Sequence, residues 1–208
     1  MHVQYVNEEH RRTEPRHPAS LIGSIGSLLG AEWFPHIQRA QLKRYRAGRG
    51  GRGEMVALRV LAESGVPIET MRLPELQRWI WLVHCMAFLS GSDRDPHSTK
   101  SDARPGTVLY RAGYNEFRLR RLLDARGERF QALLERAVRR IARLGEPINW
   151  AKLAPLVLPQ NPDSGWADNA RIELARDFAV AAVRGDLKQH SAVGDNPDEL
   201  LLVEDTDD

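Results

Sequence analysis

Apolar residues along this 208-residue chain recur at the three- and four-residue intervals of an α-helix, and two-residue strand alternation is scarce. The clearest run starts at Phe130 and continues through Leu133, Leu134, Ala137, Val138, Ile141 and Leu144, all on one helical face. Gly145 and Pro147 end it. Asn149 then reads as the N-cap of "WAKLAPLVL", which stops at Pro159.

The same reading predicts helices on either side. Upstream are a glycine-diluted "SLIGSIGSLLG" (Ser20–Gly30) and, after Pro35, "HIQRAQLKRYRAG", which runs into a Gly/Arg loop, "AGRGGRGE". "EMVALRVLAESG" closes at Gly65, and "LPELQRWIWLVHCMAFLSG" has proline in its first turn and Gly91 past its end. Downstream, "TVLYRAGYNEFRLRRLLDARG" precedes the Phe130 run. "WADNARIELARDFAVAAVRG" follows, with Ile172, Ala175, Phe178, Ala179 and Ala182 expected inward. These elements imply an all-α, two-lobed helical bundle with basic outer faces. The expected divisions are an N-terminal arm at 1–18, a helical lobe at 19–91, a linker at 92–106, a second helical lobe at 107–187 and a disordered acidic tail at 188–208.

Charge changes the picture because it is segregated. The formal net charge is only +2, yet from Asp186 onward eight acids face one lysine, a net of −7. The remainder carries 29 basic and 20 acidic residues, and just four of the 30 basic residues in the chain are lysine. A basic body of this kind suits a polyanionic partner. A single cysteine, Cys85, excludes an internal disulfide. The N-terminus lacks the hydrophobic core of a signal peptide, and no apolar run reaches membrane-span length. A cytoplasmic protein with no membrane partner is expected.

Candidate chemistry is sparse. HExxH, GxSxG and metal-spaced His/Asp/Glu sets are absent, and "GRGGRG" lacks the GK[ST] of a phosphate loop. His84 and Cys85 are adjacent, so on a helix they point about 100° apart, and core packing is expected for both. No catalytic residue, metal ligand or cofactor is expected.

The arginines form rows instead. Arg136, Arg139, Arg140 and Arg143 fall at i, i+3, i+4 and i+7, opposite the apolar face, and Arg39, Lys43 and Arg46 repeat the spacing with Arg44 beside them. No acid lies between Glu32 and Glu54. A solubilising helix face interleaves both signs, whereas like charges four residues apart cost a few tenths of a kcal/mol each. Phosphates would relieve that repulsion, since guanidinium groups fork onto phosphate oxygens.

The segments "NEFRLRRLLDARG" and "VRRIARLGEPINW" then acquire a context. With Trp166 followed by Arg171, Asp177 and Phe178, and more loosely with "RAQLKR" and the helix ending "CMAFLSG", they resemble the CasB family, the small subunit of the type I-E CRISPR surveillance complex, Cascade. The resemblance spans about residues 20–185. It implies a non-catalytic subunit present as a pair, docked on the backbone and large subunits that hold the CRISPR RNA. It also implies contact with the target and displaced DNA strands that stabilises the R-loop. By position it carries nucleic-acid binding onto Lys43 and Arg44, Arg118, Arg139 and Arg140, and near Arg78. Arg136, Arg143 and Arg39 join them from the arginine rows, and Arg121, in the segment with Arg118, is a further candidate; Arg171 suits either binding or packing. Trp150, Trp166 and Phe178 are implied to pack. Two other readings fit the charge: a stand-alone helical regulator of nucleic acid, and an adaptor that binds acidic protein surfaces.

Overall fold

A computed structural model describes residues 17–46, 51–158 and 165–193, and among these it contains nine α-helices and no strand. The helices are α1 (Pro18–Gly30), α2 (His36–Lys43), α3 (Arg52–Glu63), α4 (Leu73–Leu89), α5 (Pro105–Arg111), α6 (Glu116–Asp124), α7 (Gly127–Ile141), α8 (Trp150–Val157) and α9 (Trp166–Val193). The all-helical expectation holds. Most of the arm and most of the tail lie outside the described residues, as do 47–50 of the Gly/Arg loop and 159–164 before α9.

The most apolar stretch of the sequence becomes the central helix. In α4, Trp79 through Ala87 are all buried, so it presents no polar face along this stretch and is enclosed by α2, α3 and α7. The expectation that His84 and Cys85 are packed core residues holds: they are 2% and 0% exposed. Burial pushes the Cys85 thiol well above its ordinary pKa, which makes it a poor nucleophile. α7 is amphipathic and buries Phe130, Leu134, Ala137, Val138 and Ile141. It ends at Ile141, so Leu144 leaves the apolar row and is exposed.

Between α4 and α5 the chain is tightly held, although its turn-forming composition reads as a linker. The Pro96 carbonyl accepts the Ile148 amide at 3.2 Å and the Trp150 indole N–H at 3.1 Å, and His97 Nδ1 accepts the Trp150 amide at 3.2 Å. The glycines that dilute α1 admit this segment. A Cβ at Gly30 would lie 2.7 Å from Asp95 Cα. α1 packs on α8 and α4 on α7, so helices from both halves of the chain share one continuous apolar core.

Three expectations need correction. The Gly/Arg loop does not extend to Glu54, because α3 begins at Arg52; Gly53 is a close-packing position where a Cβ would lie 2.5 Å from the Gln41 carbonyl oxygen. α9 runs on to Val193, past the expected start of the tail. Its buried face is Ala170, Leu174, Asp177 and Phe178, where it meets α5 across Gly106. Ile172 and Ala179 are therefore exposed, while Ala175 and Ala182 are half-buried. The apolar residues of α9 occupy more than one face, and the partner helix selects among them.

Candidate nucleic-acid interface

Two consecutive helices build a strongly basic concavity. α6 starts cleanly because the Asn115 side chain accepts the Arg118 amide at 3.0 Å, an N-cap worth about 1 kcal/mol. It turns Leu119 and Leu122 into the core, which leaves the intervening arginines outside. α7 buries its apolar row and leaves Arg136, Arg139, Arg140 and Arg143 on the other side. Between the helices lies an open groove of about 340 Å³, lined by Arg118 and Arg121 from α6 and by those four arginines. Tyr114, Leu122 and Leu133 give it an apolar component. Six of the expected site residues thus converge.

Their partners divide them into two groups. Arg139 is braced: it donates to Glu135 Oε1 at 2.7 and 3.0 Å and lies 4.1 Å from the Phe88 ring centroid. Glu135 also approaches His84 Nε2 at 3.5 Å. Burial alone would raise the Glu135 pKa, but Arg139 and His84 outweigh it and hold the carboxyl below its ordinary value. His84 Nδ1 is 2.6 Å from the Leu42 carbonyl, so it carries the proton. Arg140 donates to the Ala112 carbonyl at the end of α5. These two arginines hold α4, α5 and α7 in register besides lining the groove.

Arg118, Arg121, Arg136 and Arg143 have no carboxylate ion-pair partner among the described residues. All four are exposed. The phenol of Tyr114 sits among guanidinium groups: burial raises its pKa, while Arg118, Arg140 and Arg136 pull it back. Several unneutralised guanidinium groups around an apolar strip can take an anion with spaced charges and flat or apolar parts.

The other expected positions lie elsewhere. Arg39 is not an outward-facing group: it is 4% exposed, with Nε on the Leu29 carbonyl at 3.1 Å and Nη2 on the Ala31 carbonyl at 2.6 Å. It closes the end of α1 from α2, and the row it was expected to form with Lys43 and Arg46 does not exist as a surface. Lys43 is half-buried, and burial, then Arg39 and Arg94, lower its pKa. Arg44 is exposed and shares a second open depression, of about 390 Å³, with Arg46 and Arg52. Arg78 is half-buried on α4, with its Nε buried. Arg171 packs: Nε donates to the Leu123 carbonyl at 3.2 Å, and Nη1 meets Asp168 at 3.2 Å. Trp166 is 54% exposed and does not pack as expected, whereas Trp150 and Phe178 do.

Sequence reasoning passed over Tyr114 and Arg52. The arginine at 52 was signalled by the acid-free run before Glu54 but masked by its glycine neighbours. Arg39→Ala is expected to lower stability by about 2 kcal/mol, because two carbonyls lose a charged donor. Thermal melting of that variant beside Arg44→Ala, which should melt like the parent, checks it.

A family model described as CRISPR-associated protein Cse2 matches residues 38–178, more than half of the chain. The chain belongs to that family. The Cse2 (CasB) family supplies the small subunit of type I-E Cascade, so the protein is a Cascade subunit of CRISPR defence. The matched span contains both helices of the groove and the depression around Arg44. Neither a curated protein nor a solved structure matches the chain. Among the described residues no helix is long and apolar enough to cross a membrane.

Proposed function

We propose that the α6–α7 groove binds nucleic-acid backbone in the assembled Cascade complex and that this contact stabilises the R-loop. The supporting observation is the cluster of four exposed arginines, Arg118, Arg121, Arg136 and Arg143, that have no carboxylate partner among the described residues and are set among apolar side chains. Phosphates spaced along a strand neutralise such a row and release counterions. The amides that read base edges are missing from the groove lining, so backbone contact without sequence reading is the better fit. The target and displaced DNA strands are the proposed ligands. The backbone and large subunits, a second copy of the chain and the CRISPR RNA are the proposed neighbours. In this reading the subunit acts by holding strands and performs no chemistry of its own.

Salt dependence tests the reading. Changing Arg118, Arg121, Arg136 and Arg143 together to glutamine should flatten the plot of log K against log salt by about three units on single-stranded DNA, at about 0.7 per lost phosphate contact. The loss should be similar for unrelated sequences. An unchanged slope, or a loss confined to one sequence, would remove the groove from consideration and favour a groove-reading regulator.

A further inference from the structure

Phe117 stands on α6 between the N-cap and the first groove arginine, and it is 66% exposed. Its position in the helix explains why it is not core. At 100° per residue it lies about 160° from Leu119, whose side faces the interior, and only about 40° from Arg121. Arg121 lines the groove, and its guanidinium carbon sits 5.8 Å from the Phe117 ring centroid. The ring is therefore tied to the rim of the basic groove by one of its own arginines and still offers most of its surface to solvent. Tyr114, three residues earlier, places a second aromatic inside the groove.

Aromatic side chains interleaved with unpaired arginines are the chemistry that binds unstacked bases: the cations follow the phosphates, and the ring replaces the neighbour a base loses on leaving a helix. A duplex keeps its bases stacked and has no use for such a ring. We propose that Phe117 is a stacking platform for an unpaired base, with Arg121 on its side, and that the groove is thereby selective for single-stranded over double-stranded nucleic acid. The inference rests on the groove being a nucleic-acid site. It adds a residue that touches a base and identifies the strandedness of the ligand. Because stacking accepts every base, selection is by strandedness and not by sequence.

The test uses the full-length chain with three probes of equal length: oligothymidylate, a strand of abasic sites, and a duplex. Phe117→Ala should weaken oligothymidylate binding about tenfold, within the range of base–aromatic stacking. Binding of the abasic strand and of the duplex should stay within about twofold. The salt slope should not move, because no charge is removed. Phe117→Trp should restore oligothymidylate affinity, and melting temperatures of both variants should match the parent. Unchanged oligothymidylate binding, or an equal loss on the abasic strand, overturns the stacking role while leaving the arginine reading intact. If the parent chain binds neither single strand, the nucleic-acid reading fails and Phe117 falls with it.

Discussion

Trp150→Ala, at the largest fully buried side chain, is expected to destabilise the protein by about 3–5 kcal/mol. Trp150 is wholly buried at the first turn of α8, where α1 and α9 pack. Its indole N–H satisfies the Pro96 carbonyl, and its amide is received by His97 Nδ1, so one residue fastens the α4–α5 segment to α8. Truncation would open a cavity the size of an indole and leave the Pro96 carbonyl with the Ile148 amide as its remaining donor. Domains of this size retain only about 5–15 kcal/mol in total, so the melting temperature should fall by on the order of 10 °C. Trp150→Phe should recover most of the loss by refilling the space without restoring the hydrogen bond. Trp166→Ala, at a half-exposed position, should cost less than about 1 kcal/mol. Circular-dichroism melts of the three variants decide this. Equal losses at 150 and 166 would mean the packing has been misassigned.

That contrast also shows how far the sequence could be read. Periodicity placed α4 and α7 correctly because each has a single consistent pattern, one apolar all round and one with a sharp face. It failed on α9, where aliphatic residues occupy several faces and only the neighbouring α5 decides which of them are buried. The stretch 92–106 reads as a linker because turn-forming residues report backbone shape, whereas the hydrogen bonds from Ile148 and Trp150 that hold Pro96 and His97 come from far along the chain. Arginine spacing placed Arg136, Arg139, Arg140 and Arg143 on one side of α7, and the groove forms there because α6 and α7 are adjacent in sequence and pack on one another. Spacing failed for Arg39 and left Arg171 open, because an arginine that donates to main-chain carbonyls carries the same letter as one that faces solvent. Their partners, Leu29, Ala31 and Leu123, contribute backbone oxygens and leave no mark in the side-chain pattern.

In the assembled complex, replacing Arg118, Arg121, Arg136 and Arg143 with glutamine is expected to shorten R-loop lifetime by roughly 30- to 100-fold. R-loop formation exchanges one duplex for another of similar stability, so small contacts to the backbone decide the balance. Exposed charge pairs contribute about 0.2–1 kcal/mol each, and four together reach about 2–3 kcal/mol, with each 1.4 kcal/mol a factor of ten. Assembly should persist, because none of the four has a carboxylate partner among the described residues and all are exposed. Arg139 and Arg140 are poorer choices for this purpose: one is braced by Glu135 and Phe88 and the other by the Ala112 carbonyl, so their removal would mix stability with binding.

The most direct measurement compares dissociation of the parent and four-glutamine complexes from two targets of identical sequence, one duplex and one single-stranded. A duplex target must be held open against its displaced strand, whereas a single-stranded complement has no competitor. A hold of the α6–α7 groove on the displaced strand predicts a large rise in dissociation from the duplex and a change of less than about threefold on the single strand. Equal acceleration on both targets would contradict a hold on the displaced strand and point to the target strand or guide instead, and unchanged dissociation from the duplex would contradict any role of the groove in binding.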